Sequence, residues 1–135
     1  SEFGMVVPKF IEAALKNEPI VIHGTGEQTR SFTWVGDVVN YFYLLAKNEL
    51  YGEIFNIGQT EEISIKDLAT LIIEKCDSSS EIIFKDHEEV YGNKFEDPMR
   101  RTPSIDKIVK ATNYEPTMTI QKMIEEIITY KKINL

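Results

Sequence analysis

Three arginines are the side chains of this sequence best suited to binding an anion. Arg30 follows the turn at residues 24–26, Gly-Thr-Gly, and Arg100 and Arg101 stand together in a loop between two prolines. A guanidinium stays charged and presents N–H donors in a fork that fits phosphate oxygens. A diphosphate carries about two negative charges, so two guanidiniums match it. We interpret Arg30 beside its turn, and the loop that holds Arg100 and Arg101, as two separate indications of an anion site. The alternatives are a surface ion pair for Arg30 and a solvated surface for the arginine pair.

Chemistry that depends on a metal or a thiol has little support in this sequence. His23 and His87 stand far apart, and without a cysteine cluster they do not form a metal-binding pattern. Cys76 is the only cysteine, which excludes an internal disulfide and fits a reducing compartment. Its place at the end of an apolar helical pattern favours a buried thiol over a nucleophile. We therefore predict no metal site and no thiol nucleophile in this chain.

The composition indicates one ordered domain. The 135 residues are 42% hydrophobic and 27% charged, which is ordinary for a globular protein and excludes a disordered one. The net charge of −7 and the lack of a basic cluster argue against a nucleic-acid partner. No apolar run reaches the ~18–20 residues that a membrane span needs, and the first residues have no signal-peptide pattern. We expect a cytoplasmic protein that binds neither membrane nor nucleic acid.

The hydrophobic pattern predicts helices alternating with short strands, which indicates an α/β fold. Asp37 is expected to cap a helix that is apolar on nearly every side, and we predict that this helix is buried on most sides. Residues 86–103 form a polar stretch, too long for a structureless connection unless it binds something. The predicted helices begin at Pro8, Asp37, Ser64, Ser104 and Thr119, and the predicted strands lie at residues 20–23, 31–35, 53–57, 63–64 and 81–85.

Several short motifs follow one another in order along residues 4–133. They lie at residues 22–32 (with Gly-Thr-Gly and Gln-Thr-Arg), 52–58 (Gly-Glu-Ile-Phe-Asn-Ile-Gly), 97–103 (Asp-Pro-Met-Arg-Arg-Thr-Pro) and 114–116 (Tyr-Glu-Pro). In this order and spacing they resemble the nucleotide-sugar enzymes of the NAD-dependent epimerase/dehydratase family, which are extended short-chain dehydrogenases/reductases. The chain looks most like the UDP-glucose 4-epimerase-like members. UDP-glucuronate decarboxylases and nucleotide-sugar 4,6-dehydratases share most of the same motifs.

The resemblance implies that this chain is the C-terminal, substrate-binding portion of such an enzyme. The expected fold is a small mixed sheet with helices, without the Rossmann half that binds NAD. Residues 4–135 would form the nucleotide-sugar-binding domain, and residues 1–3 look like a cloning remnant. The chain has no Gly-x-x-Gly-x-x-Gly fingerprint, and we expect no catalytic Tyr-x-x-x-Lys pair in it. NAD would be bound by a missing N-terminal part, and the chain alone is expected to be inactive.

The resemblance also assigns residues to the parts of a UDP-sugar. Arg30 and Arg101 would bind the pyrophosphate, with Arg100 as the competing candidate. His23 stands where the family usually has an aromatic residue, which bears on the identity of the base rather than on the fold. The remaining implied contacts are Asp97 beside the ribose, Val21 and His23 at the uracil, and Met5 and Val6 along the path of the sugar nucleotide.

Two other functions stay open beside the enzyme hypothesis that we favour. One is a stand-alone module that binds a nucleotide or a partner protein without catalysis. The other is a structural fragment that persists by pairing with a second copy. We expect the chain by itself to form a homodimer, whichever hypothesis holds. In the fold that the resemblance implies, the apolar helix after Asp37 and the strand at 53–57 pack on elements that precede residue 4, and a second copy would cover them instead.

Overall fold

Helices and short strands alternate along the chain, as the hydrophobic pattern predicts. A computed structural model describes residues 5–85 and 98–133. The elements in order are α1 (Val6–Leu15), β1 (Ile20–His23), β2 (Thr29–Ser31), α2 (Val35–Lys47), β3 (Glu62–Ser64), α3 (Ile65–Cys76), β4 (Ile82–Lys85), β5 (Arg100–Arg101), α4 (Asp106–Thr112) and α5 (Ile120–Ile133).

The strands form two small sheets. β1 and β4 run parallel, with Ile20 opposite Ile82 and His23 opposite Lys85. β2 is the central strand of the second sheet, where it pairs antiparallel with β3 and parallel with β5. The second sheet is therefore mixed, as predicted, and the parallel pair β1–β4 stands as a separate sheet beside it.

The main core is built by β1 and the helices α1, α3 and α5. Ile20 and Ile22 are buried on one face of β1, and Val21 and His23 are half-buried on the other, because successive strand residues point to opposite faces. The helices contribute apolar side chains at helical spacing from one face each. The fully buried ones include Ile11, Leu68, Ile72 and Ile124.

A smaller cluster joins α2 to α4. Tyr41 is fully buried there beside Ile108, and its ring meets that of Tyr114 edge-on at 5.1 Å between centroids. The buried carboxylate of Asp37 accepts hydrogen bonds from Tyr114 Oη at 2.5 Å and from the Thr117 backbone N–H at 3.3 Å. Burial raises the pKa of the Tyr41 hydroxyl, and Tyr114 and Asp37 raise it further. These contacts hold the first turn of α2 against the chain that leads into α5.

The start of α2 differs from the prediction. The sequence predicts a strand at residues 31–35 and a helix capped by Asp37, but β2 ends at Ser31 and α2 begins at Val35. Asp37 lies in the first turn, where a negative charge is favourable. Its carboxylate is directed to Tyr114 instead of the helix N–H groups, so it ties two segments together rather than capping one.

The strand predicted at residues 53–57 is wrong. Lys107 holds this segment through its Nζ, which donates to Glu53 Oε2 at 2.8 Å and to the Ile54 carbonyl at 2.9 Å. Asn56 Nδ2 donates to the Ser104 carbonyl at 3.2 Å. A strand requires a neighbour, and none of the strands in residues 5–85 and 98–133 pairs with this segment. Side-chain contacts therefore position it without making it part of a sheet.

The outer face of α2 is apolar and exposed. It consists of Val35, Val39, Phe42 and Tyr43, of which Val39 is 58% exposed and Phe42 and Tyr43 are each 61% exposed. The prediction that this helix is buried on most sides is therefore wrong for the chain taken by itself. Tyr41, on the inner face, is the side chain that the smaller cluster buries.

Candidate functional site

A turn with two glycines, at residues 24–26, connects β1 to β2, the central strand of the mixed sheet. Gly24 and Gly26 both have φ of 75°, a left-handed conformation that glycine adopts without strain. A Cβ at Gly26 would approach Ile22 Cγ2 to 3.1 Å and Lys66 Cβ to 3.2 Å. The Gly26 carbonyl accepts from the Lys66 N–H at 3.0 Å, which ties the turn to the start of α3. At the other end, the Gly24 N–H donates to the Lys85 carbonyl at 2.8 Å, so the turn is held at both ends before β2 begins at Thr29.

The pairing of β2 with β5 brings two of the predicted phosphate ligands together. In the parallel register, Arg30 lies beside Arg101 and Thr29 lies beside Arg100. Neighbouring strands are about 5 Å apart, and partners in register project from the same face of a sheet. Two like charges side by side are unfavourable, and an anion bound between them removes the repulsion. The arrangement therefore suits a phosphate or diphosphate.

Arg30 also holds the strand that carries its neighbour. Its Nη1 donates to its own strand at the Thr29 carbonyl, 2.6 Å away, and to the Pro98 carbonyl, 2.8 Å away. The Thr29 N–H donates to the Met99 carbonyl at 2.8 Å. Arg30 is half-buried, whereas Arg101 is exposed. Arg30 is thus partly a structural side chain that anchors the chain leading into β5.

Arg100 projects from the opposite face of the sheet, where it is engaged by an acidic residue. Its Nε donates to Glu62 Oε1 at 2.8 Å, and Thr102 Oγ1 donates to the same oxygen. These two hydrogen bonds, with that of Arg100 the stronger influence, hold the pKa of Glu62 below its ordinary value. The same contact raises the pKa of Arg100. Arg101, rather than Arg100, is therefore the loop arginine that accompanies Arg30.

The other predicted substrate residues lie outside the mixed sheet. Met5 is exposed immediately before α1, and Val6 is the first residue of that helix. Val21 and His23 share the half-buried face of β1. Asp97 lies outside the described residues. The structure therefore brings Arg30 and Arg101 together, and places the remaining candidates on α1 and β1.

The expectation that the chain contains no Tyr-x-x-x-Lys pair is wrong. Tyr43 and Lys47 have this spacing, and they lie one turn apart on α2. Lys47 Nζ stands 5.8 Å from the centroid of the Tyr43 ring, at the range of a cation–π contact. Residues four apart on a helix are neighbours in any case, so this spacing alone does not assign catalysis.

The glycine turn does not fit the pyrophosphate of a dinucleotide cofactor. Dinucleotide folds place that group where a glycine-rich loop leads from a strand into a helix N-terminus. Here the turn at residues 24–26 leads from β1 into another strand, β2.

In the part of the chain that is described, no helix is long and apolar enough to cross a membrane.

Comparison with known proteins identifies the larger group to which these features belong. The model of the NAD dependent epimerase/dehydratase family matches residues 2–58. The UDP-N-acetyl-alpha-D-glucosaminuronate decarboxylase of Bacillus cytotoxicus is 34% identical over 125 residues, which are 93% of this chain and 39% of that protein. This chain belongs to the NAD-dependent epimerase/dehydratase family.

Two further proteins that are similar to this chain agree with the assignment. UDP-glucuronic acid decarboxylase 1 of Arabidopsis thaliana is 32% identical over 126 residues, 93% of this chain and 27% of that protein. The crystal structure of UDP-glucuronic acid 4-epimerase from Bacillus cereus, in complex with UDP-glucuronic acid and NAD, superposes with a TM-score of 0.83. It is 27% identical, and the match covers 97% of this chain and 40% of that one.

The predicted family and fold class are confirmed, and the chain spans well under half the length of these relatives. The finer prediction, a UDP-glucose 4-epimerase-like member, stays a prediction. Sequence reasoning missed Glu62 and Thr102, whose contact with Arg100 separates the two loop arginines. Their signal in the sequence was slight: an acidic side chain on a predicted strand and a hydroxyl next to Arg101.

Proposed function

We propose that this chain is the UDP-sugar-binding part of an NAD-dependent nucleotide-sugar epimerase/dehydratase. The observation that carries the proposal is the register of β2 and β5, which sets Arg30 beside Arg101 on one face of the mixed sheet. Two adjacent guanidiniums fit the diphosphate of a UDP-sugar through forked, charge-assisted hydrogen bonds. The role of the chain is to bind the nucleotide of the substrate. The rest of the full-length protein binds NAD and supplies the groups that react with the sugar.

The remaining contacts extend the proposal outward from the diphosphate. The motif resemblance assigns Val21 and His23, on one face of β1, to the uracil, and it assigns Asp97 to the ribose. Met5 and Val6, at the start of α1, lie along the path of the sugar nucleotide. These assignments rest on the motif resemblance, and the shared face of Val21 and His23 is consistent with a common ligand.

The sequence motifs favour 4-epimerisation of a UDP-sugar, and the comparisons give equal weight to a second reaction. Bacillus cytotoxicus and Arabidopsis thaliana relatives that cover 93% of this chain are decarboxylases of UDP-uronic acids. The 4-epimerase from Bacillus cereus was solved with UDP-glucuronic acid. A UDP-sugar with a carboxylate at C6 is therefore the substrate to test beside UDP-glucose. In both reactions the full-length protein would be a cytoplasmic enzyme that binds NAD.

Product analysis on the full-length protein distinguishes these reactions. UDP-glucose and UDP-glucuronic acid are incubated separately with the protein and NAD, and the products are identified by NMR. Conversion of UDP-glucose to its 4-epimer supports the epimerase hypothesis, and loss of carbon dioxide from UDP-glucuronic acid supports the decarboxylase. If neither sugar nucleotide is bound or consumed, the proposal is wrong. If UDP binds but no UDP-sugar reacts, the stand-alone binding module is the better description.

A further inference from the structure

One carboxylate contacts the residues on both sides of Arg101. Glu62 lies on β3, opposite Ser31 of the central strand β2. Its Oε1 reaches across that strand and accepts from Arg100 Nε at 2.8 Å and from Thr102 Oγ1. Glu62 thus connects the two edge strands of the mixed sheet over the face that is opposite to Arg30 and Arg101.

We propose that Glu62 is a positioning residue that sets Arg101 beside Arg30 for binding the diphosphate of a UDP-sugar. The inference rests on the proposed function. Glu62 does not touch the ligand. It acts through β5, because it fixes the two neighbours of Arg101 on one face and so leaves Arg101 on the other.

The shortness of β5 makes such a contact necessary. β5 has two residues, so few backbone hydrogen bonds can define its register. The chain leading into it is held by the contacts of Thr29 with Met99 and of Arg30 with Pro98. A register slip by one residue would exchange the faces of the two loop arginines. The ion pair between Arg100 and Glu62 opposes that slip, because the slip would move Arg100 away from the Glu62 carboxylate.

Charge is as important to this role as shape. With Glu62 ionised, Arg100 has a nearby anion of its own, and it does not compete with Arg101 for the ligand. Glu62→Gln keeps the size of the side chain but removes the charge. We expect Glu62→Gln to weaken the binding of UDP by about two- to fivefold, the range set by an exposed ion pair.

A matched variant separates this effect from a general loss of an ion pair. Glu53 forms an exposed pair with Lys107 at 2.8 Å, the same distance as in the Glu62–Arg100 pair. Residues 53–57 do not belong to the mixed sheet, so Glu53→Gln should leave the affinity for UDP unchanged. Thr102→Val removes the second hydrogen bond to Glu62 and should weaken UDP binding in the same direction as Glu62→Gln, by a smaller factor.

The experiment is a double-mutant cycle on the full-length protein, with the dissociation constant of UDP measured by calorimetry. The variants are Glu62→Gln, Arg101→Ala and the combination of the two. If Glu62 acts through Arg101, its substitution weakens binding in the wild-type background and has no further effect when Arg101 is already alanine. Unfolding temperatures are recorded alongside, because a merely structural residue would lower stability and give additive losses of affinity.

Each outcome decides the inference. A loss of affinity confined to the wild-type background supports it. An unchanged affinity in Glu62→Gln, or an equal loss in both backgrounds, overturns it and leaves the proposed function standing. If Arg101→Ala itself leaves UDP binding unchanged, the proposed diphosphate site is wrong, and the role of Glu62 is wrong with it.

Discussion

The exposed outer face of α2 leads to a prediction about the chain on its own. Val39, Phe42 and Tyr43 expose 58%, 61% and 61% of their surface. Fully burying one such side chain contributes about 1.5–3 kcal/mol, so with roughly six-tenths exposed the three together leave about 3–5 kcal/mol unrealised. That is a large share of the ~5–15 kcal/mol that stabilises a typical domain. Contiguous exposed apolar surface of this kind favours association.

We therefore expect the 135-residue chain to be ordered only as an oligomer, with a second copy covering the outer face of α2 and the segment at residues 53–57. The assay is multi-angle light scattering at micromolar concentration, joined to a thermal melt. A double variant, Val39→Gln with Phe42→Gln, removes apolar surface and introduces glutamine, which is a good helix former, at both positions. It should abolish association, whereas Ile133→Gln, which changes a 77% exposed residue of α5, should not.

The result that would refute this reasoning is a wild-type chain that is monomeric and melts cooperatively at micromolar concentration. It would mean that leaving the outer face of α2 exposed lowers the free energy of unfolding by less than the exposed apolar area indicates. In the full-length protein the same face is expected to be covered by residues that precede this chain, so the double variant should there lower the unfolding temperature rather than change the mass.

Three further predictions concern the cofactor, the diphosphate site and the buried acid. The 135-residue chain should show no binding of NAD by calorimetry, because its glycine turn leads into a strand; measurable binding would contradict the fit argument. In the full-length protein, Arg30→Ala should lower kcat/KM for the UDP-sugar by a factor that corresponds to a loss of about 2–4 kcal/mol in transition-state stabilisation, and the affinity for NAD should stay unchanged. A wild-type value of kcat/KM in this variant would exclude Arg30 from the site. Tyr114→Phe removes a hydrogen bond to the buried Asp37 carboxylate and should cost about 1.5–3 kcal/mol in urea unfolding of the full-length protein, whereas a loss below ~0.5 kcal/mol would show that the carboxylate finds another donor.

The parts of the fold that the sequence predicted well depend on local interactions. The sequence predicts a helix that begins at Ser64, and Ser64 is the N-cap of α3, with its Oγ accepting from the Asp67 N–H at 2.9 Å. The last helix begins next to Thr119, and Cys76 is buried at the end of α3, where burial raises the pKa of its thiol. Caps and helical periodicity are set within one or two turns, so the sequence carries them directly.

The parts that it missed depend on partners far along the chain. Residues 53–57 have the composition of a strand, but pairing needs a neighbour, and side-chain contacts with Lys107 and Ser104 hold the segment instead. The site followed the same rule. The sequence put Arg30 and Arg101 in two anion-binding motifs, but only the register of β2 and β5 set them side by side. The choice of Arg101 over Arg100 likewise depends on Glu62, which no local pattern connects to either arginine.

The most direct test of the diphosphate site is the affinity of the full-length protein for UDP, measured by calorimetry in Arg30→Ala, Arg101→Ala and Arg100→Ala. The site predicts that loss of Arg30 or Arg101 weakens binding by about thirtyfold or more, because each removes a charged partner of the diphosphate. Loss of Arg100, which contacts Glu62 on the other face, should weaken it by no more than about fivefold. Equal effects for Arg100 and Arg101, or wild-type affinity in Arg30→Ala, would contradict the account.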